Sequence, residues 1–274
     1  ERMHLFYWQG MVKEMRELAD QYRAVIGERA APVQQARFLK MIALSMLMDS
    51  RFQPSHECVA LAKRAVAASE EADDLAEAGH VTFTYGLIQV FRGDFEAAAK
   101  ACAKALEFSE RTGELVLQAR SLTYLAVAYR RMNDWPNCKS AAERAFEIST
   151  RLAMVEYIAM ATANLAWVAW RQNDHAKAEK LASEALNLWH GMEDPYSFDW
   201  MALWPLVAIA FARKDFSRAV EYARRLLDEN QHPLAENLTP IVRRTCEEWE
   251  RGAEEIAIAS FVSAIQAARD LAYL

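Results

Sequence analysis

Apolar residues along this chain recur at helical spacing, in blocks cut by short polar turns. From Leu75 to Arg92 they fall at Val81, Tyr85, Leu87, Ile88 and Phe91, which fits a helix. Gly93 ends the block, and Arg92 stands where a cation suits a helix C-terminus. Asp94 is placed to cap the next helix. That helix carries a stripe of small residues, Ala98, Ala101, Cys102, Ala105 and Leu106, which lets two helices approach closely.

The same punctuation returns. Gly93-Asp94-Phe95, Asn133-Asp134-Trp135, Asn173-Asp174-His175 and Lys214-Asp215-Phe216 place their aspartates 40, 40 and 41 residues apart. A period of that size predicts stacked helical hairpins. The predicted organisation is a partial unit at 1–27, units at about 31–73, 74–112, 114–153, 155–192 and 195–230, and an irregular helix pair at 233–274. Pro32, Pro54 and Pro136 suit first helical turns. Pro205, inside the run Asp199–Arg213, is expected to kink or end that helix. Gly10 aligns with Gly93 two periods and three residues on, with the extra residues assigned to Gly27–Pro32. Ile256, Ile258, Phe261, Val262 and Ile265 spread apolar surface over more than one face, although a capping helix is polar outside. Together with Glu1 at the first position, this predicts a segment of a longer polypeptide.

Composition supports an all-α protein. Hydrophobic residues make up 53% of the 274, with only 8 Gly and 7 Pro. The formal net charge of −6 argues against nucleic acid as partner, because phosphate binding needs a basic footprint. No apolar run is long enough to predict a membrane span, and no signal peptide is recognisable. Cys58, Cys102, Cys138 and Cys246 form no CxxC pair. Cys58 and Cys138 share the repeat phase of Ala98 and Ala178, so they read as small core residues that suit a reducing, cytoplasmic setting. There is no phosphate loop, no dinucleotide fingerprint and no helix-borne His pair. No nucleophile with a placed base can be argued. The expectation is no catalytic residue, no metal and no cofactor.

The repeat phase resembles the tetratricopeptide repeat (TPR) family, with a small residue in the first helix of each pair, an aromatic at the turn, and two alanines seven apart in the second. Gly86, Phe95, Ala98 and Ala105 carry it in one unit. Ala126, Tyr129, Trp135 and Ala145 carry it in the next, with Cys138 for the first alanine. Ala166, Ala178 and Ala185 follow, then Phe216 and Ala219, with Leu226 where alanine is expected. The resemblance implies a right-handed superhelical solenoid of antiparallel helix pairs. The 40-residue period looks like the arrays of bacterial signalling ATPases and regulators. In this family the first helices of the pairs line a concave groove.

A second stripe on those helices is therefore the candidate site. It runs Met160, Asn164, Trp167 and Arg171 in one unit and Arg120, Tyr124, Val127 and Arg131 in the unit before. His80, Thr84, Leu87 and Phe91 precede them; Met201, Pro205, Ala208 and Ala212 follow. With flanking Trp170 and Trp204, the predicted partner-binding set is Arg120, Tyr124, Asn164, Trp167, Trp170, Arg171 and Trp204. Trp, Tyr and Arg dominate binding hot spots, and Asn offers both donor and acceptor. The alternative for the aromatics is packing between repeats, and for Arg130, Arg131 and Arg171 a role at helix ends only. A family clamp for C-terminal carboxylates is not predicted, because Met201 and Pro205 stand where it needs cations.

Two functions follow from the resemblance. The first is a non-enzymatic protein- or peptide-binding module, the sensor or interaction segment of a larger bacterial regulator. The second is a receptor for a small-molecule inducer or signalling peptide that gates a linked NTPase, cyclase or DNA-binding module. A third reading, a scaffold, expects a groove filled by the protein's own side chains.

Overall fold

The computed structural model describes residues 2–9, 11–26, 30–192 and 197–274. Gly10 and residues 27–29, used above to set the first repeat boundary, lie outside them. The described residues are helical, without strands, and fall into two compact units, Glu1–Ala128 and Tyr129–Leu274.

The first unit holds α1 (Arg2–Trp8), α2 (Val12–Ile26), α3 (Pro32–Asp49), α4 (His56–Glu71), α5 (Leu75–Arg92), α6 (Phe95–Thr112) and most of α7 (Leu115–Arg131). Sequential helices pack on one another: α3 on α4, α4 on α5, α5 on α6. Ala98, Cys102 and Ala105 of α6 are fully buried. The approach of α5 to α6 is close enough that a Cβ on Gly86 would meet Cys102 Sγ at 2.8 Å. An ion cluster with a buried Glu77–Lys40 pair and an exposed Arg37 ties α3 to α5. Glu77 accepts from Lys40 Nζ at 2.7 Å and Arg37 Nε at 2.8 Å. Burial opposes the Glu77 charge most strongly, but the two cations outweigh it and hold the carboxyl below its usual value.

The second unit holds the end of α7, then α8 (Trp135–Arg151), α9 (Val155–Arg171), α10 (His175–His190), α11 (Trp200–Ala212), α12 (Phe216–Arg225), α13 (Thr239–Glu250) and α14 (Glu254–Asp270). Helix α9 packs on α8, α10 and α11, and α11 packs on α12. Helix α14 departs from this neighbour-to-neighbour order. It packs on α13 and also on α11, with Phe261 against Phe211 at 5.5 Å between ring centroids. The connection after α10 is held by Asp199, which is buried and accepts from Arg225 at 3.0 Å, with the His190 ring at 3.2 Å.

All four recurring aspartates cap helices. Asp94, Asp134, Asp174 and Asp215 accept from the backbone N–H of Ala97, Asn137, Lys177 and Arg218 at 3.1–3.2 Å. The residue before each is left-handed: Gly93 at φ 86°, Asn133 at 60°, Asn173 at 62°, Lys214 at 61°. That turn reverses the chain between paired helices. Pro32 and Pro136 sit in first turns as expected. Pro54 does not: it precedes the cap Ser55 of α4. Nor does Pro205 end its helix, since α11 runs through it to Ala212.

Candidate functional site

The predicted partner-binding residues divide between the units. In the first unit Arg120 and Tyr124 of α7 are buried. The Arg120 guanidinium lies 4.5 Å from the Phe83 ring centroid. Tyr124 meets Phe83 at 5.8 Å and Phe91 at 6.4 Å, both edge-on, and Phe91 continues to Phe52 at 4.8 Å. These rings form a packed aromatic ladder along α5 and α7.

In the second unit, Asn164 and Trp167 of α9 and Trp204 of α11 are buried. Among the described residues, both amide atoms of Asn164 are without a hydrogen-bond partner, as are the indole Nε1 atoms of Trp167, Trp200 and Trp204. Buried donors and acceptors left unmade cost about 1–3 kcal/mol each. They therefore mark a poorly satisfied part of this unit's interior.

The sequence reading missed the centre of this region. Arg130, left out of the predicted partner-binding set and given a helix-end role as its alternative, is fully buried. Its Nη1 donates to the Met201 carbonyl at 2.9 Å and its Nη2 to the Tyr273 carbonyl at 2.8 Å. The guanidinium lies 5.5 Å from the Trp167 ring and 5.2 Å from the Trp200 ring. Burial pushes its pKa down to about 9, so it remains charged at neutral pH. Pro205 explains the first bond. In an uninterrupted helix the N–H of residue 205 would bond the carbonyl of residue 201, and proline has no N–H. Arg130 supplies the missing donor. Asking where the carbonyl four residues before a mid-helix proline finds a partner is the sequence signal that predicts such a donor.

The second bond holds a piece of the chain's own backbone. After α14, Ala272 is left-handed at φ 53° and Tyr273 N–H donates to Ala268 at 2.8 Å, so the chain turns inward. Tyr273 and Leu274 are buried. The Tyr273 ring meets Trp200 edge-on at 5.1 Å and Trp204 at 6.1 Å. The Arg131 guanidinium is 4.3 Å from that ring. The Tyr273 hydroxyl accepts from Ala235 N–H at 3.3 Å. Thus the end of α7 presents two arginines and α11 two indoles that together hold a short peptide segment by backbone and side chain.

Trp170 and Arg171 flank that buried region, with Arg171 5.8 Å from the Trp167 ring. They are half-buried and line a cavity of about 600 Å³. Asn173, His175, Gln266 and Arg269 give it a polar rim, and Ala208, Phe211, Val262 and Ile265 an apolar floor.

The described residues contain no group of three or more metal-ligating His, Cys, Asp or Glu side chains, and no described helix is long and apolar enough to cross a membrane. All four cysteines are buried with free thiols. Burial pushes Cys102 and Cys138 up to about 12, and Cys58 and Cys246 up to about 11, as expected of inert core residues.

A family model described as tetratricopeptide repeat matches residues 117–189. Among solved structures, the chain is similar to BtubC (BKLC) from P. vanneervenii, at 16% identity over 79% of this chain and 88% of that one, TM-score 0.59. It is similar to a Rap protein complexed with competence and sporulation factor, at 13% identity over 93% and 69%, TM-score 0.67. It is also similar to the apo form of RapI, at 13% identity over 98% and 83%, TM-score 0.57. At these identities the likeness shows the fold. No curated protein matches the sequence.

Proposed function

We propose, for an all-helical repeat fold whose residues 117–189 match a tetratricopeptide repeat model, that this chain is a non-enzymatic binding module for a peptide or protein segment. The observation that carries this reading is the embrace of residues 273 and 274. Arg130, Arg131, Trp200 and Trp204 hold a short segment as a peptide ligand would be held, with one guanidinium N–H on a backbone carbonyl and a guanidinium and aromatic rings against a side chain. Such contacts combine sequence-tolerant anchoring with an aromatic hot spot. A partner segment would compete with the protein's own residues for this place. Asn164, Trp167 and Trp204 belong to this buried region, and Trp170 and Arg171 to its open flank. Arg120 and Tyr124 are a separate candidate in the first unit. A Rap protein of the same fold is complexed with competence and sporulation factor, which supports a ligand-holding role. In the cell we place the chain as the cytoplasmic sensor or interaction segment of a larger bacterial signalling protein.

The test uses a fluorescein-labelled hexapeptide with the sequence of residues 269–274 and fluorescence anisotropy. Saturable binding to Tyr273→Ala, at least tenfold weaker binding to the wild type, and loss of binding when Arg130→Met is added are the expected results. Absence of saturable binding to folded Tyr273→Ala refutes the reading.

A second reading is favoured by the cavity. Its volume of about 600 Å³ falls in the range of small-molecule pockets, about 300–1,000 Å³. A ligand there would make the module a receptor that gates a linked NTPase, cyclase or DNA-binding domain.

A further inference from the structure

The cavity floored by α11 and α14 has a chemistry unlike the rest of this acidic chain. The protein carries a net charge of −6, yet no acidic side chain lines the cavity, whereas Arg171, Arg269 and His175 do. Several arginines of the unit pair with carboxylates: Arg213 with Glu179 at 2.7 Å, Arg224 with Glu250 at 2.9 Å, Arg225 with Asp199 at 3.0 Å. The two cavity arginines do not. Among the described residues their contacts are with indole faces, Arg171 at 5.8 Å from the Trp167 ring and Arg269 at 5.5 Å from the Trp170 ring. A guanidinium near an aromatic ring is attracted by the ring's negative face while its N–H donors remain able to take an anion. Two such forks, borne by α9 and α14, flank one space.

The floor selects what the forks can hold. Ala208, Phe211 and Ile265 are apolar, and Val262 beside them is 55% exposed. A simple anion would leave this surface in water, whereas an apolar body bearing an anion covers it and reaches the arginines. The planar guanidinium matches a carboxylate with two parallel hydrogen bonds. Gln266 is tied to Asp270 at 2.8 Å, which leaves the arginines as the principal anion donors.

We infer that this cavity is a receptor site for a carboxylate carried on an apolar body, supplied by the acidic and aliphatic side chains of a bound peptide. The inference rests on the peptide-binding reading above, names the chemistry it selects, and places that chemistry beside the Tyr273 region rather than within it.

The test uses four probes with the intact chain. Two are capped, amidated pentapeptides, one alternating leucine with glutamate and the other leucine with glutamine. The other two are 4-phenylbutyrate and 4-phenylbutyramide. Binding is measured by calorimetry for the wild type, Arg171→Gln, Arg269→Gln and the double variant, with folding checked by circular dichroism. The glutamate peptide is expected to bind the wild type at least tenfold tighter than the glutamine peptide. Each single variant should reduce that preference to below about threefold, and the double variant should abolish it. The preference should also shrink in 0.5 M salt, since the arginines are solvent-accessible. Equal binding of the two peptides overturns the acid site and leaves peptide binding intact, as does a preference that survives the double variant. Binding of phenylbutyrate but not its amide, with neither peptide bound, upholds the acid site and overturns the peptide as its source. No binding by any probe overturns both.

Discussion

Arg130→Met and Pro205→Ala, made singly and together, test whether Arg130 replaces the backbone donor that Pro205 removes. In the wild type the Met201 carbonyl is bonded by Arg130 at 2.9 Å. Arg130→Met leaves that carbonyl buried and unpaired, a cost of about 1–3 kcal/mol. It leaves the Tyr273 carbonyl likewise unpaired, and it relieves the desolvation of a guanidinium without a carboxylate partner, so the net cost of the single change is a difference of large terms. The cycle removes that ambiguity. In the Pro205→Ala background residue 205 has an N–H to bond the Met201 carbonyl, while the other consequences of Arg130→Met are unchanged. The double variant should therefore lose about 1–3 kcal/mol less than the sum of the singles. Guanidinium unfolding of the four proteins, followed by tryptophan fluorescence, measures it, because Trp167 and Trp200 flank Arg130. Additivity within about 0.5 kcal/mol refutes the replacement argument.

Gly86→Ala should destabilise the first unit. The gain in helix propensity, about 1 kcal/mol, is outweighed by overpacking of about 1–3 kcal/mol, since the new Cβ meets Cys102 Sγ at 2.8 Å and Ala101 Cβ at 3.2 Å; adding Cys102→Ala should recover part of the loss in thermal melts. Glu77→Gln should destabilise near neutrality and progressively less in acid. The Glu77 carboxyl is held below its usual value by Lys40 and Arg37, so its contribution is present above the unfolded carboxylate range, about pH 4.3, and is lost as pH falls through the lowered folded value; a gap between the two proteins that stays constant to about pH 3 contradicts this. The four thiols should resist an aromatic disulfide reagent at about pH 8 in the folded protein and react fully in denaturant, because burial holds them at about 11 to 12; a fast-reacting thiol in the native state would disprove the core assignment.

Local features of the fold were legible because they depend on residues close in sequence. Each capping aspartate bonds an N–H three residues on, and the left-handed residue before it follows from the same tight turn. Pro54 was misread by two positions, since the proline alone does not show that Ser55 takes the cap. The interior of the second unit was not legible for a different reason. Arg130 finds its acceptors 71 and 143 residues away, and a repeat ruler relates each position only to its copies. Helix α14 crossing to α11 breaks the neighbour rule on which that ruler depends. Trp167 and Asn164 were singled out by spacing, but spacing does not report that burial would leave the Asn164 amide unpartnered.

The two carbonyls gripped by Arg130 also bear on how the second unit comes apart. A repeat array stabilised only by neighbours frays from its last element, each helix pair melting in turn. Here a single guanidinium at the start of the unit clasps the backbone at residue 273, so α14 cannot peel away without stripping a buried charge of one of its two bonds. Such a clasp ties the opening of α14 to that of α7 and α11, and it delays folding as well, since it joins residues 143 apart in sequence.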